Sequence, residues 1–99
     1  MKITKEAIHF NADQKLLDYI DKKVGKLEQY FDKIIDVIVT MRLENSGQVK
    51  DKIVDIRMNV PGDTLFASEE NKTFETAVDG SVAVMKRQLI KYKDGLRAR

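Results

Sequence analysis

Nucleophilic or acid-base chemistry in this chain would have to be built around His9, its only histidine, because it contains no cysteine. A nucleophile needs a base within hydrogen-bonding reach. His9 lies on or near an opening strand, with no serine in a nucleophile-elbow context, and reads as a structural or surface residue. Zinc would need several converging His, Cys or carboxylate ligands, and one histidine among scattered acids offers no ligand spacing. The five glycines, Gly25, Gly47, Gly62, Gly80 and Gly95, are isolated, so no glycine-rich phosphate loop is present. The acids Glu69 and Glu70, or Asp18 and Asp21, could share general acid-base work only where their surroundings separate their pKa values. A solvated charged surface is the simpler reading. The sequon Asn71-Lys72-Thr73 is incidental in a chain with no export signal. The chain is therefore expected not to be an enzyme and to use no cofactor, no metal and no small-molecule substrate.

The placement of the cations carries more information. Lys and Arg total 18 and Asp and Glu 16, a net charge of only +2, yet residues 86 to 99 hold six cations and one acid, Asp94. Advancing about 100° per residue along a helix, Lys15, Lys22, Lys26 and Lys33 share the outer sector of a first helix, Lys33 only if its last turn reaches that far. Lys86, Arg87, Lys91, Lys93 and Arg97 lie away from the apolar stripe of a second. Amphipathic helices ordinarily place lysine on the wet side, and Asp13, Asp18, Asp21 and Glu28 accompany the first set. The second set exceeds what a solvated face needs, and side by side the two faces would make one positive surface able to track a phosphate backbone. Tyr92 belongs to the apolar stripe. Without sheet-face aromatics of the kind that stack single-stranded bases, shape and phosphate contacts are expected rather than base readout.

These helices must be positioned by a sheet. An extended segment over Lys2 to His9 precedes a helix over 12 to 31, where Leu17, Ile20, Val24, Leu27 and Phe31 step by three and four behind an Asn11 cap. Ile35, Val37, Val39, Met41 and Leu43 then alternate with polar residues, and after the turn Asn45-Ser46-Gly47 so do Val54, Ile56, Met58 and Val60. Pro61-Gly62-Asp63 makes a second tight turn into a short strand at Thr64 to Ser68. The last helix begins near Asn71 to Thr73 and carries Phe74, Val78, Val82, Met85, Leu89, Tyr92 and Leu96, with Gly80 marking a kink or a late start. Because each strand has one apolar face and each helix one stripe, the order β-α-β-β-β-α predicts an α+β two-layer sandwich, both helices on one face of a four-stranded sheet.

Ninety-nine residues support one domain, 1–99, with one core. The absence of cysteine fits a reducing cytoplasm. Lys5, Glu6 and His9 interrupt any apolar leader, and nowhere do eighteen apolar residues run together, so neither export nor a membrane partner is expected.

The phrases Tyr19-Ile20-Asp21-Lys22-Lys23-Val24-Gly25-Lys26-Leu27-Glu28-Gln29-Tyr30-Phe31, Ala77-Val78-Asp79 and Lys86-Arg87-Gln88-Leu89-Ile90-Lys91-Tyr92-Lys93, in this order and spacing, resemble the ribosome hibernation promoting factor family. That family includes the ribosome-associated inhibitor protein Y, and its fold resembles a double-stranded-RNA-binding domain with an added first strand. The resemblance implies a stress and stationary-phase factor that binds the small ribosomal subunit and its 16S rRNA in the messenger RNA and transfer RNA channel and inhibits translation. It also implies RNA contacts by Lys22, Lys23, Lys26, Lys86, Arg87, Lys91 and Lys93. The wheel selects all of these but Lys23. Val84 and Ile90 replace cations common in the family, which narrows the basic face. A chain ending at Arg99 resembles the short form, so that pairing ribosomes would need a separate dimerising protein.

Two other readings fit the same residues. One is a general duplex-RNA-binding module without a dedicated ribosomal site. The other is a protein-interaction domain whose contact surface is the polar sheet face bearing Asp36, Thr40, Arg42, Asp55 and Arg57.

Overall fold

The computed structural model of the chain describes residues 1–46 and 49–97. Its element order is β-α-β-β-β-α: β1 (Lys2–Ala7), α1 (Gln14–Gly25), β2 (Asp36–Ser46), β3 (Val49–Val60), β4 (Asp63–Asn71) and α2 (Phe74–Arg97). A 3-10 turn, Lys26–Gln29, continues α1. The strands lie in sequence order across one sheet. β1 is parallel to β2, with Ile3 opposite Val37 and Ala7 opposite Met41, whereas β2 with β3 and β3 with β4 are antiparallel. A parallel pair cannot be closed by a tight turn, and α1 supplies the crossover.

The alternating strand residues Val37, Val39, Met41, Val54, Ile56, Met58 and Ala67 are buried against Leu16, Ile20 and Val24 of α1, Leu27 after it, and Ala77, Val78, Met85 and Leu89 of α2. Burying each large aliphatic side chain contributes about 1.5–3 kcal/mol, so one face of the sheet holds both helices. Lys5 also points to this side, and Asp21 of α1 meets its Nζ at 2.5 Å. The opposite face shows Thr4 and Glu6 of β1, Asp36, Ile38, Thr40 and Arg42 of β2, Ile53, Asp55, Arg57 and Asn59 of β3, and Thr64, Phe66, Ser68 and Glu70 of β4. Hydrogen bonds knit it laterally: Arg42 Nε donates to Asp55 at 3.0 Å, Ser68 Oγ to Asp55 at 2.5 Å, and Asn59 Nδ2 to Asp36 at 2.5 Å. Ile53 is buried on this face, apart from the main core.

Several boundaries differ from the periodicity. β1 ends at Ala7, and His9 adopts a left-handed φ of 61° as the chain leaves the strand. The cap of α1 is Asp13, not Asn11: Asp13 Oδ1 accepts from Leu16 N at 2.8 Å. Regular α-helix stops at Gly25, which leaves Phe31 and Lys33 beyond the 3-10 turn. Ile35 precedes β2 and Leu43 lies where the β2–β3 hairpin outruns the helices, so both are exposed despite keeping the alternation. The Asn45-Ser46-Gly47 turn lies partly outside the described residues, with Ser46 paired to Val49 around it. Pro61 and Gly62 form the second turn, Gly62 at a φ of 78° as the second corner of a type II turn requires. β4 is longer than expected, running to Asn71.

α2 passes through Gly80 as one continuous helix that starts at Phe74, with Thr73 Oγ1 accepting from Thr76 N at 3.1 Å. Gly80 makes room for β4: a Cβ there would lie 3.0 Å from Glu69 Cγ. The buried stripe is Ala77, Val78, Ser81, Met85 and Leu89, while Leu96 is exposed. Two side chains of α2 tie it to the meander: Gln88 Nε2 donates to Phe66 O and Tyr92 Oη to Pro61 O, each at 2.5 Å.

Candidate nucleic-acid interface

The helical segments lie side by side and run in the same direction, because contacts between them rise together in sequence. Tyr19 Oη donates to Asp79 at 2.6 Å, the Tyr30 ring lies 4.8 Å from Lys86 Nζ, and Phe31 meets Tyr92 edge-on at 5.5 Å. The outer side of α1 therefore adjoins the outer side of α2 along their length.

Lys22 and Lys26 are exposed and one helical turn apart. Lys86, Arg87 and Lys91 are exposed on α2, and Lys93 is half-buried. Among the described residues, none of these six is paired with a carboxylate. Lys23 differs. It is half-buried in the seam, its Nζ 3.7 Å from Asp79 Oδ1 and 5.5 Å from the centre of the Tyr19 ring. Lys15 sits exposed in the first turn of α1, whereas Lys33 lies in the turn after the helical segment and does not join the row. Arg97 closes α2.

Asp79 is the acid set among these cations. Its hydrogen bond with the Tyr19 hydroxyl, helped by partial burial and by the negative charges of Asp79 and Glu75, pushes the Tyr19 pKa up to about 12. Tyr19 therefore stays protonated and keeps Asp79 engaged. The Tyr30 face performs a different task, holding the Lys86 ammonium where α2 faces the 3-10 turn, an attraction of about 0.5–1 kcal/mol at an exposed site. The arrangement can bind an extended polyanion. Among the described residues no group of three or more metal-ligating side chains converges, and no helix is long and apolar enough to cross a membrane.

The profile of the Ribosomal_S30AE family, described as Sigma 54 modulation protein / S30EA ribosomal protein, matches residues 3–97. The chain is 36% identical over 80 residues to a ribosome hibernation promoting factor of Klebsiella oxytoca, covering 81% of this chain and 80% of that protein. It is 31% identical over 94 residues to the Pseudomonas putida factor, covering 95% and 88%. The chain belongs to the ribosome hibernation promoting factor family. The fold of this family member is similar to a ribosomal subunit interface protein from Coxiella burnetii, with a TM-score of 0.84 at 24% identity over 95% of this chain and 99% of that one. It is also similar to the N-terminal domain of Thermus thermophilus Protein Y, with a TM-score of 0.74 at 22% identity over 93% and 99%.

Reasoning from spacing gave no role to Tyr19, Tyr30 or Asp79. The four-residue step from Tyr19 to Lys23 is visible in the sequence and signals one helical face. Nothing local links Tyr30 to Lys86, since that contact exists only once both helices lie on the sheet.

Proposed function

We propose that this hibernation-factor family member is a non-enzymatic, cytoplasmic ribosome-binding domain. It occupies the messenger RNA and transfer RNA channel of the small subunit and inhibits translation in stress or stationary phase. Lys22, Lys26, Lys86, Arg87, Lys91 and Lys93 contact 16S rRNA phosphates directly, and Lys23 joins them from the seam. The observation that carries this reading is the row of six carboxylate-free cations along two co-directional helices, in a chain of this family. Phosphate contacts release counterions and position the protein, so inhibition is steric and needs no cofactor.

The test is co-sedimentation with isolated 30S and 50S subunits, with and without a structured messenger RNA plus initiator transfer RNA. Retention on 30S that those ligands abolish is expected, as is loss of retention in the triple variant K86E, R87E, K91E with an unchanged circular dichroism spectrum. Retention indifferent to the ligands would favour a general duplex-RNA-binding module, and a triple variant that still bound at moderate salt would remove α2 from the interface.

A further inference from the structure

Among the described residues no element covers the sheet face opposite the helices, and its net charge is opposite to theirs. Glu6, Asp36, Glu44, Asp51, Asp55 and Glu70 project from it, against three cations, Lys2, Arg42 and Arg57. Arg42 is paired with Asp55, and Lys72 Nζ reaches Asp51 at 3.5 Å, which leaves Glu6, Asp36, Glu44 and Glu70 against Lys2 and Arg57 and keeps the face net acidic. Such a surface repels phosphate.

A lone exposed apolar side chain needs no explanation. Phe66 is 49% exposed but not alone. With Ile38, Thr40, Asp55 and Arg57 it lines a trough of about 270 Å³ across the middle of the sheet. The walls are fixed, because Asp55 is held by both Arg42 and Ser68. The trough itself carries only Asp55, already paired, and Arg57, so the excess of carboxylates belongs to the sheet face as a whole. An apolar floor within a net-acidic face is the arrangement that a protein partner of opposite charge fits.

We propose that this open sheet face docks a cationic, extended polypeptide segment that seats one apolar side chain against Phe66 and Ile38. The proposal goes beyond the helical reading and does not depend on it, since the two surfaces lie on opposite sides of the protein and can be filled together.

The experiment is an amide chemical-shift titration of the full chain with the peptide KLKGKLK, with KGKGKGK and ELEGELE as controls. KLKGKLK is expected to shift Ile38, Arg57 and Phe66 and to leave Lys22 and Lys86 unmoved. KGKGKGK should bind several-fold more weakly and ELEGELE not at all. Phe66→Ser, an exposed position, should weaken KLKGKLK about tenfold, and Arg57→Glu should tighten it several-fold, while both variants keep 30S retention. Equal binding of the two cationic peptides would reduce the effect to general charge attraction and overturn the proposal. So would shifts confined to β4 backbone or the helices, or no shifts at millimolar peptide. Shifts of the same residues on raising the protein concentration alone would assign the face to the basic helices of a second copy, which also overturns it.

Discussion

Asp79 is the residue at which the basic seam is adjusted. It accepts from Tyr19 and lies near Lys23, so it draws one cation inward and sets a negative charge where phosphate would approach. Asp79→Asn should therefore strengthen RNA binding a few-fold, in keeping with the roughly 0–1 kcal/mol of an exposed pair, as read by filter binding at fixed salt. The same variant should return Tyr19 ionisation from about 12 towards its ordinary value of 10, followed in an ultraviolet titration. The sign of the linked stability is fixed by the raised folded pKa: the contribution is complete below pH 10 and is lost as pH rises through about 12. Between those limits wild type should lose stability more steeply than D79N, measured by urea denaturation at stepped pH. Tyr30→Phe should retain the hold on Lys86, because the ring face is kept, whereas Tyr30→Leu should release it.

At the level of elements, Gly80 joins α2 to β4. Alanine in a helix interior is favoured over glycine by about 1 kcal/mol, but the added Cβ would press on Glu69 Cγ at 3.0 Å. Gly80→Ala should accordingly stabilise the protein less in the wild-type background than in a Glu69→Ala background, where the full ~1 kcal/mol appears in thermal or urea unfolding. This contact also marks where the sequence stops being legible. Helix positions and strand faces could be read because one-sided burial imposes a period of 3.6 or 2 on Ile20, Val24 and Leu27 and on Val37, Val39 and Met41. The basic residues of both helices were legible for the same reason, as the complement of that stripe. The alternation outran the buried part of β2 at Ile35 and Leu43, since a side chain keeps its face whether or not a helix lies above it. Asn11 and Asp13 have equivalent capping chemistry, and only the path of the chain after His9 selects Asp13. Pairings set by the packed layers, Lys5 with Asp21, Tyr30 with Lys86 and Gly80 with Glu69, leave no local trace.

Across the whole molecule, the net charge differs between two sides: cations are in excess on the helices and carboxylates in excess on the uncovered face of the sheet. With six carboxylate-free cations the logarithm of RNA affinity should fall with the logarithm of salt at a slope no steeper than about 5, and Lys86→Ala should lower that slope by about one. Lys23→Ala should lower it by less, because Asp79 already compensates that charge. Among the described strands, the same layering gives β4 a neighbour on one side only. Counting from the Val60–Asp63 pair that closes the turn, Phe66 falls where backbone groups point away from β3. An open strand margin is a template for aggregation, and there the Gln88 carboxamide occupies the Phe66 carbonyl. Gln88→Leu removes that cover without a cavity, so concentrated solutions of the variant should scatter light sooner than wild type on storage. A side chain of the basic helix α2 would thus also keep neighbouring sheets from joining edge to edge.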